Sequence, residues 1–181
     1  MTAKKYLPIA LFIGLQACVL QILDQLIGAN VPLVSGLGFG WVSFQAWAVY
    51  FFAGCTPKDG IRAFIGYVLG MLASMAILAA GGALGGTLGF WSVPLVLLVL
   101  VPIILYLDIA PQWFNCVPAL FVGAGVFFGC MTYVPGATFT NVAIAETLFC
   151  VIGLFFGFLT IAFRHWYEGK YVTPAETADK K

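Results

Sequence analysis

The side chains able to do chemistry inside this chain are few: Gln21, Asp24, Gln25, Gln45, Asp108, Gln112, Asn115, Asn141 and Glu146. All are carboxyls or carboxamides. The single histidine, His165, stands far from the five cysteines, Cys18, Cys55, Cys116, Cys130 and Cys150, and no two of these share a C-x-x-C spacing. Neither a zinc ion nor an iron–sulfur cluster finds a ligand set in that pattern. No Ser/His/Asp set, no His-Glu-x-x-His and no pair of carboxylates on one helix is present. Proteolysis, phosphoryl transfer and redox chemistry therefore lack their residues, and the expectation is a non-enzyme with no cofactor and no metal. Isolated amides and carboxyls can bind instead. They offer donors and acceptors to a small solute or to a neighbouring helix.

The elements that hold these residues must lie in a membrane. Only 8% of the 181 residues are charged and 62% are hydrophobic, too few charges to cover a soluble domain. Most charges sit at the two ends or in the segment Lys58-Asp59-Gly60-Ile61-Arg62. A spanning helix needs about 20 apolar residues. Six segments approach that length: 6–27, 39–54, 61–81, 90–107, 116–133 and 143–163, the second and fifth short or broken by glycine. The expected fold class is all-α, a polytopic bundle of six transmembrane helices. One helical domain over 1–170 and a polar cytoplasmic tail, disordered, over 171–181 account for the chain.

Orientation follows from the bases. Lys4 and Lys5 precede the first segment, Lys58 and Arg62 flank the link between the second and third, and Arg164, Lys170, Lys180 and Lys181 follow the sixth. Six spans with both termini in the cytoplasm place every Lys and Arg on one side. The net charge of +1 gives no basic patch for nucleic acid. The run Leu15-Gln16-Ala17-Cys18 has the outline of a lipoprotein signal, but the apolar stretch continues beyond the cysteine, so an uncleaved first helix is the better reading.

Spacing assigns faces. Ala10, Gly14, Ala17, Gln21, Asp24 and Gly28 recur at steps of three and four, a small-to-polar stripe that should face protein or a solute path and support a homo-oligomer. Gly66 and Gly70, and Gly153 and Gly157, stand four apart, and with Gly14 they are the expected close-packing glycines. The fourth segment, bulky all round with Pro94 and Pro102 as bends, should face lipid. The run Gly81-Gly82-Ala83-Leu84-Gly85-Gly86 lacks the Lys and Ser/Thr of a phosphate loop and reads as a tight turn between segments three and four. Trp41, Trp91, Trp113 and Arg164-His165-Trp166-Tyr167 read as an interfacial aromatic belt.

Segments two and five look alike. Each ends in a Phe-Phe pair, then Gly-Cys, then Thr: Phe51, Phe52, Gly54, Cys55, Thr56 and Phe127, Phe128, Gly129, Cys130, Thr132. Each is followed by a proline and a helix with a Gly-x-x-x-Gly pair. Two repeats of three helices would be inverted in the membrane, an arrangement found in transporters and channels. On that reading the four phenylalanines form a constriction. Asp24 and Glu146 line an acidic outer vestibule, and Gln21 and Gln45 present polar groups to the path. Against this, Asp24 and Glu146 could simply meet water at headgroup depth, and Gln45 could bond another helix.

The run Gly40-Trp41-Val42, Ala53-Gly54-Cys55, Gly66, Gly70, Val117-Pro118-Ala119-Leu120-Phe121-Val122-Gly123-Ala124 and Gly153-Leu154-Phe155-Phe156-Gly157 resembles the YcdZ-type family of small bacterial inner-membrane proteins. The resemblance implies a one-domain helical bundle in a bacterial inner membrane. That family is known mainly as a domain of unknown function, so no functional residue carries over. The expected function is a channel or facilitator for a small polar solute of the urea, ammonia or short-carboxylate class. The alternative is a non-transporting membrane subunit that binds a partner protein or lipid.

Overall fold

The computed structural model describes residues 1–31 and 39–172, and among them every regular element is helical. The α-helices are α1 (Ala3–Asn30), α2 (Gly40–Ala53), α3 (Pro57–Leu88), α4 (Ser92–Leu105), α5 (Val117–Tyr133) and α6 (Phe139–Tyr171). Length and apolarity single out three stretches able to cross a membrane, Ala3–Asn30, Pro57–Ile109 and Phe139–Tyr171, with the shorter apolar helix Val117–Tyr133 beside them. The six crossings expected from the sequence are not established by that measure. The reason is physical: α2 and α4 have 14 residues each, about 21 Å of helix against a hydrocarbon core of about 30 Å.

Local chemistry sets where the helices begin. Thr56 caps α3, its hydroxyl accepting from the Asp59 amide at 3.1 Å, and Pro57 follows at the first helical position. Thr138 and Asn141 form a reciprocal capping box at the start of α6. The expected glycine turn is overturned. Residues 81–86 stay within α3, and the chain reverses at Gly89, whose φ of +51° suits glycine, followed by a 3-10 turn through Trp91. Gly85 and Gly86 have open space on their outer side, so nothing forces the helix to break there. Beyond Gly89, α4 folds back antiparallel along α3: Val93 lies against Gly81, while Leu97 and Val101 share a groove with Ile77 and Ala73.

The core is built by two side-by-side pairs. Helix α2 runs parallel to α6, with Ser43 and Ala46 against Gly153 and Tyr50 against Gly157. Helix α3 runs parallel to α5, with Gly66 against Cys116 and Ala119 and Gly70 against Leu120 and Ala124. Each pair carries a serine bond to its partner's backbone: Ser43 donates to the Phe149 carbonyl at 2.8 Å and Ser74 to the Ala124 carbonyl at 3.0 Å. Helix α1 lies antiparallel on α6, Phe12 stacking on Phe163 and Gln16 reaching Phe156. Only Ser92 and Val96 of α4 are buried, so that helix shows most of its apolar surface outward.

Helix α1 does not turn its expected stripe inward. Ala10, Gly14 and Gln21 are exposed, and a methyl group placed on Gly14 or Gly28 would meet nothing within 4 Å. The buried face is Ile9, Gln16 and Leu20. Helix α6 continues to Tyr171, one residue past the expected domain edge, and the rest of the tail from residue 173 lies outside the described residues.

Candidate functional site

The close approach of the paired helices begins with their glycines. A methyl group at Gly70 would run into the Leu120 carbonyl oxygen, one at Gly123 into that of Tyr67, and one at Gly153 into that of Ser43. Gly66 and Gly157 are hemmed in somewhat less closely, by Cys116 and Ala119 and by Tyr50. Four of the five expected packing glycines therefore stand at helix contacts, and Gly14 makes none within the chain. Backbones this close bring side chains from α2, α3, α5 and α6 into one cluster that includes Phe39, Tyr67, Phe127, Cys130, Phe149 and Cys150.

Glu146 lies inside this cluster. Its exposure is 0%, and neither carboxyl oxygen has a hydrogen-bond partner among the described residues. It interacts electrostatically with Tyr67 of α3, Cys130 of α5 and Cys150 of α6. The Tyr67 hydroxyl is likewise buried and unpartnered among those residues. The position of Glu146 near the start of α6 pointed to water or an open vestibule, and burial corrects that expectation. Asp24 sits elsewhere. It is half-buried against the first residue of α2, where a methyl group on Gly40 would come within 2.7 Å of its carboxyl carbon. That places a carboxylate at a helix N-terminus, where the aligned peptide dipoles favour negative charge. No hydrogen bond joins Asp24 to Glu146, and Glu146 is sealed from solvent, so the expected acidic vestibule is not formed among the described residues.

The four phenylalanines do not converge either. Phe127 is fully buried and meets Phe139 edge-on, whereas Phe52 is 79% exposed and Phe51 also faces outward. Phe128 is partly buried and lines the groove between α4 and α5. The repeated Phe-Phe motif falls in unlike surroundings, because the helix contacts match Ser43 with Cys116 and Ala46 with Ala119, three residues out of step with the motif. Gln21 is exposed on α1. Gln45 is exposed too, but it opens into a cleft of about 240 Å³ between α2 and α5, lined by Trp41, Gln45, Val122, Gly125 and Val126. Val126, in the cleft wall, is one helical turn from Cys130 on α5. A second open groove of about 430 Å³ between α3 and α6 is apolar, with Ile61, Phe64, Leu154 and Phe155 among its walls.

Two polar groupings were missed from the sequence. One is Gln16, Trp47 and Thr160. The Trp47 indole donates to the Thr160 hydroxyl at 3.0 Å, that hydroxyl lies 2.8 Å from both Gln16 Oε1 and the Phe156 carbonyl, and Gln16 Nε2 donates to the same carbonyl at 3.1 Å. Gln16 was hidden by its apolar neighbours, yet Ile9, Gln16, Leu20, Leu23 and Ile27 recur at helical steps that mark the buried face. The other grouping ties α3 to the chain before α5. Lys58 donates to Gln112 at 3.1 Å and Arg62 to Asn115 at 2.9 Å, while Arg62 also pairs with Asp59 at 3.1 Å.

Comparison with known proteins adds the family and little more. Residues 10–165 match the family described as "Protein of unknown function (DUF1097)", which covers most of the chain, and the chain belongs to that family. No curated protein and no solved structure matches. Its fold and composition are those of an apolar helical membrane protein.

Proposed function

We propose that the chain is a facilitator for a small polar solute, built from two inverted halves, α1–α3 and α4–α6, that together cross the membrane six times. The observation that carries this reading is the exchange of partners between the halves. Short α2 packs parallel to the long α6, and short α5 packs parallel to the long α3, through equivalent residues. Gly153 meets Ser43 and Ala46 as Gly66 meets Cys116 and Ala119. Equivalent helices then run in opposite directions, α2 against α5 and α3 against α6, which is the relation of an inverted repeat. Helices of 14 and 17 residues span about 21 and 26 Å, each short of the hydrocarbon core. Short helices in matching positions of two inverted halves are the usual markers of a solute site between them. The cleft at Gln45 lies at that junction.

The reading places the protein in a bacterial inner membrane with both termini cytoplasmic, because that orientation collects Lys4, Lys5, Lys58, Arg62, Arg164 and Lys170 on one side. The YcdZ-type affiliation belongs to the same proposal. Purified protein in liposomes, tested by stopped-flow light scattering and tracer uptake against urea, methylammonium, formate and glycerol, decides it. Solute-specific flux above protein-free vesicles is expected, and its absence for every solute overturns the reading.

The alternative, a membrane subunit that carries nothing, is favoured by one feature: Ala10, Gly14 and Gln21 of α1 form an exposed small and polar strip with no partner helix among the described residues. Such a strip suits a second helix, whether from another copy in a homo-oligomer or from a partner protein. Crosslinking through cysteine at position 14 in native membranes distinguishes a self-contact from a contact with another protein.

A further inference from the structure

The facilitator reading leaves the solute class open among amides, amines and carboxylates, and Glu146 narrows it. Four polar atoms are sealed in one apolar cluster without partners among the described residues: both carboxyl oxygens of Glu146, the Tyr67 hydroxyl and the Tyr50 hydroxyl, the last toward Cys55 and Asp59 at the far end of α2. A buried polar group without a hydrogen bond is costly, and a buried carboxylate without a counter-charge more so. Such groups are retained in membrane proteins where they meet a solute, an ion or a proton. The titratable groups near enough to interact electrostatically with Glu146 are the Tyr67 phenol on α3, the Cys130 thiol on α5 and the Cys150 thiol on its own helix, with no cation among them. From α2 and its N-terminal edge the cluster receives Phe39, Val42, Ala46, Val49 and Tyr50, none of them a cation. What the carboxyl lacks is a donor, and preferably a positive one.

We propose that Glu146 and Tyr67 form an occluded binding site for a small cation that donates hydrogen bonds, of the ammonium or methylammonium class. Glu146 supplies two acceptors and the opposite charge, and the Tyr67 oxygen supplies a third acceptor. A carboxylate solute is rejected there by like charge and by having no donor to offer. The site lies between α3, α5 and α6, hence between the proposed halves, and one turn of α5 separates it from the Gln45 cleft. This inference rests on the facilitator reading for its route of entry, but the site itself is tested separately.

The test uses the full chain in two preparations. In proteoliposomes, labelled methylammonium uptake is compared with labelled formate uptake. In detergent, the rise in melting temperature on adding methylammonium chloride is compared with that on adding sodium chloride at equal ionic strength. Wild type is expected to take up methylammonium and not formate, and to be stabilised by methylammonium alone. Glu146→Gln keeps the shape but loses the charge, and it should reduce methylammonium uptake by about tenfold or more and abolish the stabilisation, as losing a hydrogen bond to a charged group implies. Tyr67→Phe should weaken both by a smaller factor and serves if Glu146→Gln does not fold. Methylammonium uptake and stabilisation unchanged in both variants, or formate carried as well as methylammonium, overturns the site while leaving a facilitator. Stabilisation that depends on Glu146, without flux of any solute, supports the site and overturns the facilitator. Neither flux nor stabilisation overturns both.

Discussion

Thr160 stands at the centre of the polar contacts that hold α1, α2 and α6 together, taking a bond from Trp47 and lying within reach of Gln16. Thr160→Val keeps the shape and removes the hydroxyl, leaving Trp47 and Gln16 short of partners. The expected loss is about 0.6–1.7 kcal/mol, the range of interhelical hydrogen bonds in membranes, read by unfolding in mixed detergent and dodecyl sulfate micelles. Asp24 acts more locally. Placed against the first residue of α2, its charge should favour that helix by about 0.3–1 kcal/mol, so Asp24→Asn should lower stability by that amount while Asp108→Asn, on an exposed turn, leaves it unchanged. The identity of the polar residues was legible in the sequence, but their surroundings were not. Asp24 and Glu146 stand at similar distances from helix ends, yet one rests on a helix terminus and the other is sealed in the core. Only the packing of α3 and α5 around α6 separates the two cases.

Helix pairing depends on which glycines have a neighbour. Gly70→Ala, Gly123→Ala and Gly153→Ala each push a methyl group into a carbonyl oxygen of the parallel helix, and each should destabilise by about 1–3 kcal/mol or prevent folding. Gly82→Ala and Gly86→Ala have open space and lie within α3, so they should be neutral or stabilising by about 0.5–1 kcal/mol. The same detergent unfolding assay ranks all five, and a flat ranking would show that the helices do not approach as described. The Gly-x-x-x-Gly pairs were readable because their spacing is a property of one helix. The turn was misplaced because glycine permits a helix as readily as it permits its end, and only Gly89 has a positive φ there. The register of the proposed repeat also shifted. The Phe-Phe and Gly-Cys echoes suggest one alignment, whereas the helix contacts match Ser43 with Cys116 and Ala46 with Ala119.

For the whole molecule the one-sided distribution of Lys and Arg makes a direct prediction. Reporters fused at both termini should register on the cytoplasmic side, and one inserted between Gly89 and Phe90 on the other. A terminus found outside removes the six-crossing arrangement and the inverted halves with it. The proposed inverted halves would place two acids in matching positions. Asp59 stands seven residues before Gly66, as Glu146 stands seven before Gly153, so the two acids occupy equivalent places in α3 and α6. Their surroundings are opposite. Asp59 lies at the helix start, bonded to Thr56 and paired with Arg62, whereas Glu146 is enclosed without a partner among the described residues. If the halves are inverted as proposed, their unlike surroundings would permit a second arrangement in which the surroundings are traded, with Glu146 at an open face and Asp59 drawn in. By symmetry alone the two arrangements would have equal energy. On that proposal the differences between the halves, Arg62 where the other half has Phe149 foremost among them, would set how far the balance is tilted.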